Sequence, residues 1–286
     1  MNSEILITGA TGTIGSQVVK KLLQIGIPFS VGVRKPKNYI PQLIGGNTTH
    51  FDYQNKSHKL ILTKVKYLFL IAPPLNKMVD NMLIRVIDEA IECGVKRIVL
   101  LSGLGNNSWL TNPNPALRKA ELHLINCTLD EYYIIRPNFF MDNFSTGIFS
   151  KEINENNSIS LAAGNGKTSF ISAKDIAEVI TKILINGYKN KEINLTGGEA
   201  LTHQEVAKII SEARGALVTY ININPFDFLI KMRKCGLNES SISMLQTLFE
   251  SIRCGFSKEI TMDLEVLLNR KPESFYDFAK RSWSNI

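Results

Sequence analysis

The chain has 286 residues, with 33 Lys+Arg against 26 Asp+Glu and a formal net charge of +7. At 44% hydrophobic and 21% charged residues it can build a packed core, which excludes a disordered chain, and its four Cys are too few for a disulfide-stapled scaffold. The basic residues are dispersed, with no long run of like charge and no spacing typical of a nucleic-acid-binding module, so nucleic acid is not an expected partner.

Short apolar runs then alternate with longer amphipathic stretches. Residues 4–8 read as a buried strand, 16–25 as a helix, 29–33 as a second strand and 48–51 as a weak third. Residues 67–72 form a fourth strand ended by Pro73 and Pro74, and 76–93 show helical spacing up to Gly94. A fifth strand at 97–102, a helix at 115–129 and a sixth strand at 132–136 follow. Strands separated by helices imply βαβ units, and strands apolar on both faces belong in a parallel sheet covered on both sides. After Pro137 the rhythm loosens. Residues 154–158 read as an exposed turn, 164–166 as a loop, 175–185 as a helix and 192–195 as a strand. Thr202 and Glu205 fit a capping box opening a helix over 202–213. From Phe226 onward the pattern is mainly helical, with breaks at Gly236, Gly255 and Pro272.

The longest apolar runs, such as 68–72, fall far short of the ~20 residues that cross a bilayer, and residues 1–4 lack the basic and apolar regions of a leader. A cytoplasmic protein without membrane partner, monomeric or homodimeric, is expected. Cys93, Cys127, Cys235 and Cys254 lie far apart without C-x-x-C spacing and are read as having no His partner close in sequence, so reduced thiols and no metal site are expected.

The most specific signal is the loop Gly9, Thr11, Gly12, Thr13, Ile14, Gly15, between the first strand and first helix. Gly9 makes the tight turn, Gly12 lets the backbone approach a pyrophosphate, and Gly15 lets helix pack against strand. The helix amides receive the anion. A site preferring NAD places an acid about 20 residues after the glycines. This chain has Arg34 and Lys35 there, whose cations suit a 2′-phosphate, so NADP(H) is the expected cofactor. Asp52 is expected to meet the adenine, and Ala72 and Pro73 to wall the cofactor channel. Ser102, at the end of the fifth strand, is expected beside the nicotinamide.

These residues resemble the atypical short-chain dehydrogenases of the NmrA-like family. The matching segments are 9–15, 34–36, 136–144, 170–177 and 270–278, spread over nearly the whole chain. The resemblance implies a Rossmann-type doubly wound α/β sheet with a smaller, mainly helical C-terminal substrate subdomain. The expected division is a cofactor core over 1–150, completed by about 167–196, and a mainly substrate-binding part over 151–286. The family includes NADPH-dependent quinone, azo and ergot-alkaloid reductases alongside redox-sensing regulators. The Tyr-x-x-x-Lys pair of ordinary short-chain dehydrogenases is broken, because Pro115 stands four residues before Lys119. Lys119 resembles the lysine that related reductases set beside the nicotinamide ribose, and is expected to be catalytic and to hold cofactor. His123 shares its helix face and is a candidate proton relay. Phe139, Phe140 and Met141 leave the sheet at its carboxyl edge and are expected to form an apolar substrate wall.

The expected function is an NADPH-dependent reductase giving hydride to a conjugated or iminium-type small molecule, possible in secondary metabolism. Neither a quinone nor an iminium demands the strong fixed acid that the chain lacks. The alternative is a non-enzymatic NAD(P)-sensing regulator. A third reading, an epimerase-like use of tightly held cofactor, is disfavoured by the missing Tyr.

Overall fold

The computed structural model describes residues 4–35, 46–73, 79–105 and 114–283. In the first half β1 (Ile5–Thr8), α1 (Thr13–Gln24), β2 (Phe29–Val33) and β3 (Gly46–His50) are followed by the single turn α2 (Lys59–Leu62). Then come β4 (Tyr67–Ile71), α3 (Val79–Glu92), β5 (Arg97–Leu101), α4 (Pro115–Asn126) and β6 (Glu131–Pro137). The expected first turn of α3, from Asn76, lies outside the described residues. Helix α1 begins three residues earlier than its apolar period suggests, because Gly12 is its N-cap and Gly15 sits within its first turn.

The second half holds α5 (Asp142–Ser145), α6 (Ser150–Asn156), β7 (Ser158–Leu161), β8 (Lys167–Thr168), α7 (Ala173–Asn186) and β9 (Glu192–Leu195). It continues with β10 (Leu201–Thr202), α8 (His203–Arg214), β11 (Thr219–Asn222), α9 (Pro225–Lys234), α10 (Glu239–Arg253), α11 (Asp263–Leu268) and α12 (Phe275–Trp283). The stretch 154–158 is therefore no simple turn: α6 ends in it and β7 starts from it, with Asn157 at φ 49° as the left-handed stop between them. The capping box at Thr202 and Glu205 is formed with both of its hydrogen bonds.

Seven strands form one sheet in the order β3-β2-β1-β4-β5-β6-β9, and β1 through β6 pair in parallel. Hydrogen bonds from Ile134 to Lys191 and from Asn138 to Leu195 advance in step, so β9 runs parallel as well. The order reverses beside β1, which is the doubly wound arrangement with its switch point next to the glycine loop.

The chain divides into two compact units. The first comprises Met1–Asn106, Asn114–Arg136 and Ile176–Ile193; the second comprises Asn107–Pro113, Pro137–Asp175 and Asn194–Ile286. The first is built on the sheet, with Leu83, Val86, Ile87 and Ala90 of α3 and Leu117, Ala120 and Leu124 of α4 packed against Leu68, Leu70, Ile98 and Leu100. The second is organised around aromatic rings, including Phe144, Phe149, Phe170, Phe228, Phe249, Phe275 and Phe278. Its β7 and β11 form a separate parallel pair. No helix among the described residues is long and apolar enough to cross a membrane.

Candidate functional site

The three loop glycines are glycines for different reasons. Gly9 sits at φ +62°, and a Cβ there would lie 2.3 Å from Cγ2 of Ile71. A Cβ on Gly15 would lie 2.2 Å from the Gly9 carbonyl oxygen, so turn and helix touch backbone to backbone. Both residues are demanded by the fold itself. Gly12 is not: it has no left-handed φ, and a Cβ there would meet only the Gly9 oxygen at an ordinary 3.4 Å. The Gly12 amide donates to the Gly9 carbonyl at 2.9 Å, closing the turn, and no side chain caps α1. There is no acid in its first turn to repel an anion. A polyphosphate fits this helix N-terminus, and the absence of a side chain at Gly12 admits its close approach.

A hydroxyl network fixes the strands beneath the loop. Thr8 donates to the Phe69 carbonyl at 3.0 Å and accepts from the Ile71 amide at 3.0 Å. Tyr53 donates to the Ile71 carbonyl at 2.6 Å and lies 3.3 Å from the Thr8 hydroxyl. Burial holds the Tyr53 phenol above its usual range despite these contacts, so it stays a neutral donor. Sequence reasoning missed Tyr53; its partners are distant in the chain and only the fold brings them together.

Arg34 and Lys35 follow β2 and are exposed, and among the described residues neither has an ion-pair partner. Asp52 follows Phe51 and is half-buried; its carboxylate accepts from the Gln54 amide at 3.0 Å, and its carbonyl lies 2.8 Å from Nε2 of His58. Ala72 and Pro73 leave β4 partly buried.

Ser102 leaves β5 and donates its hydroxyl proton to Glu121, a fully buried carboxylate on α4. Glu121 is gripped by buried Arg136 of β6, through Nε at 3.1 Å and Nη2 at 2.9 Å, and by Arg118 at 2.6 Å. Arg136 also donates to Glu192 at 2.6 Å. This network was missed as a site, yet two signals point to it. Arg136 interrupts an apolar strand, and Glu121 lies in the apolar stripe of Leu117, Ala120 and Leu124; buried charges at such places need each other. Lys119, on the same helix, is largely exposed, with its ammonium 3.4 Å from Asp80 of α3. His123 lies further along this seam between helices, its Nε2 2.6 Å from Asp88.

In the second unit the three expected wall residues are not equivalent. Met141 is buried in the aromatic core, whereas Phe139 and Phe140 are partly exposed. Phe140 forms a bridge with Ile171, and the Phe139 ring lies 6.1 Å from that of Phe249. A cavity of about 450 Å³ opens among Phe228, Gln246, Phe249, Glu250 and Arg253; none of the three lines it. Asp175 lies within the first turn of α7, which starts at Ala173 rather than at residue 175, and so is not its cap. Ser172 takes the Asp175 amide, and the buried Asp175 carboxylate accepts from Arg270 and from the Glu273 amide, each at 2.7 Å.

The fold and loop define a dinucleotide-binding α/β protein of the doubly wound class. Residues 1–278 match the NmrA-like family, and the chain belongs to it. It is 30% identical over 277 residues to the uncharacterized oxidoreductase YesF of Bacillus subtilis, covering 96% of this chain and 93% of that one. It is 30% identical over 285 residues to the agroclavine dehydrogenase of Claviceps fusiformis, covering 96% of each. The fold is shared with an Escherichia coli NADPH-dependent quinone oxidoreductase solved with NADPH, at a TM-score of 0.80 and 21% identity over 97% of this chain and 99% of that one.

Proposed function

We propose that this chain is an NADPH-dependent oxidoreductase that delivers hydride to a conjugated or iminium-type small molecule. The first unit holds the cofactor and the second supplies the substrate surface. Gly12 carries the cofactor half of this reading: the fold explains Gly9 and Gly15 but leaves Gly12 to be explained by a ligand. Gly9, Thr11, Gly12, Thr13, Ile14 and Gly15 would hold the pyrophosphate, Arg34 and Lys35 the 2′-phosphate, and Asp52 would lie toward the adenine. Ala72 and Pro73 flank the channel. Relatives bearing the names agroclavine dehydrogenase and azoreductase support reduction of such acceptors.

When bound, the cofactor supplies a hydride. The Ser102 proton is directed inward to Glu121, whose charge Arg118 and Arg136 offset. A hydroxyl whose proton is committed to Glu121 is less suited to donate to a substrate oxygen. On a quinone or enone, Lys119 is the cation that stabilises the negative charge developing on oxygen, with Asp80 restraining it; an iminium develops no such charge. Phe139 and Phe140 offer apolar surface for a planar substrate; Met141 supports them from within the core. A quinone or enone takes up a solvent proton with the hydride, whereas an iminium takes the hydride alone.

The direct test follows NADPH absorbance with a panel of quinones, enones and cyclic imines. Oxidation stoichiometric with one of these acceptors is expected. NADPH binding without turnover on any of them would sink the reductase reading and leave the cofactor-sensing regulator. At saturating NADPH, Lys119→Ala is expected to lower turnover by roughly ten- to a thousandfold while weakening cofactor binding less. Full turnover in that variant would return Lys119 to a surface partner of Asp80.

A further inference from the structure

The seam between α3 and α4 carries a group of side chains that the dinucleotide chemistry does not use. His123 and Cys127 are four residues apart, so they project from the same side of α4 and its C-cap, and Asp88 of α3 faces them. The carboxylate oxygen of Asp88, a ring nitrogen of His123 and the sulfur of Cys127 all lie within 4.8 Å of one another. No other His/Cys/Asp/Glu group among the described residues converges in this way. Simple ion pairing across the seam is already illustrated by Lys119 and Asp80, and it needs no thiol. The sequence expectation of no metal site took the cysteines to have no His close in sequence, whereas His123 stands four residues before Cys127.

We propose that Asp88, His123 and Cys127 bind a zinc-class divalent cation, with water completing the coordination. One oxygen, one imidazole nitrogen and one sulfur form a borderline donor set that suits Zn²⁺; Mg²⁺ and Ca²⁺ require oxygen alone. In a tetrahedral zinc site the ligand atoms stand roughly 3.3–3.8 Å apart, as its ~2.0–2.3 Å bonds dictate. Here His123 and Asp88 are closer, at 2.6 Å with a proton between them, and the widest separation does not exceed 4.8 Å. All three side chains are half-exposed, so small rotations bring them to coordination distance and leave a water-accessible fourth position. On binding, the cation takes the place of the proton between Nε2 and Asp88, and that proton moves by way of solvent to Nδ1. Cys127 gives up its thiol proton to solvent and coordinates as thiolate, so affinity rises with pH. The ion would staple the C-terminal parts of α3 and α4, the latter being the helix that holds Glu121 beneath Ser102.

The test uses the full, untagged chain, freed of metal by a chelator and kept reduced by a phosphine. Titration with Co²⁺ is expected to produce a thiolate-to-cobalt charge-transfer absorption that Zn²⁺ displaces. Cys127→Ser should abolish the band, and His123→Ala and Asp88→Asn should each weaken binding by at least tenfold, as even outer partners of metal ligands contribute about that much. A second measurement on the unaltered chain keeps the result decisive if a variant does not fold. Zn²⁺ should slow iodoacetamide labelling of Cys127 by at least tenfold while leaving the exposed Cys235 and Cys254 unaffected. No charge-transfer band, a band retained in Cys127→Ser, or unprotected Cys127 would each overturn the proposal.

Discussion

Both units pair the charges they bury, as Asp175 with Arg270 shows in the second, but they treat a buried imidazole differently. In the first, Arg136 is gripped by Glu121 and Glu192, and the buried His58 ring lies 3.0 Å from the Glu89 carboxylate and 2.8 Å from the Asp52 carbonyl. In the second, His203 is fully buried against Phe144, Phe170, Phe249 and Tyr220, and among the described residues neither ring nitrogen has a hydrogen-bond partner. The first unit uses directional bonds to fix strand ends at the candidate cofactor site. The second relies on ring packing, which tolerates an unsatisfied imidazole as long as it stays neutral. The difference teaches that a buried imidazole is held by directional bonds in the unit that carries the glycine loop and by ring packing in the other.

Removing Glu121 should produce the largest effect. Glu121→Ala leaves Arg136 buried with Glu192 alone, and a broken buried pair costs about 3–5 kcal/mol. Chemical denaturation should read this loss, and turnover should fall with it because Ser102 loses its acceptor. A loss below about 1 kcal/mol, the range of a surface pair, would break the contrast between units.

Acid should expose the opposite weakness in the second unit. Burial lowers the His203 pKa to about 4, so between that value and its ordinary ~6.5 the unfolded chain binds the extra proton. Stability from this group is intact above pH ~6.5 and is lost as pH falls toward 4, by about 3 kcal/mol in total. His203→Phe should flatten the pH dependence of the unfolding midpoint over that window. An unchanged slope would show that the ring is solvated or paired.

A smaller effect is expected at the cofactor loop. Arg34→Glu replaces a charge-assisted phosphate contact of about 1.5–3 kcal/mol with repulsion. The NADPH-to-NADH affinity ratio should drop at least tenfold by isothermal titration; an unchanged ratio would remove Arg34 from the site. The smallest effect belongs to the capping box of α8. Thr202→Ala should cost about 1 kcal/mol in the urea midpoint with no change in cofactor binding.

The first half of the fold was legible because its signals are local. Apolar strands, amphipathic helices and the glycine loop each declare themselves within a few residues, and Thr202 and Glu205 announce their own helix. The parallel pairing of Ser158–Leu161 with Thr219–Asn222 was not, since it joins short segments far apart in the chain. The polar residues before it masked a helix that ends at a left-handed Asn. At the candidate site the same rule holds: the glycine loop declares itself within a few residues, whereas the place of Tyr53 emerges only through its contacts with Thr8 and Ile71.

The inward-pointing Ser102 hydroxyl has a consequence for affinity. Its rotor is set by Glu121, and Glu121 by two arginines, so its orientation is decided when the chain folds. A ligand docking there meets a group that has already lost its rotational freedom, and binding need not order it again. Loosening that grip should therefore slow association little and speed dissociation, because an ungripped hydroxyl holds its ligand for less time.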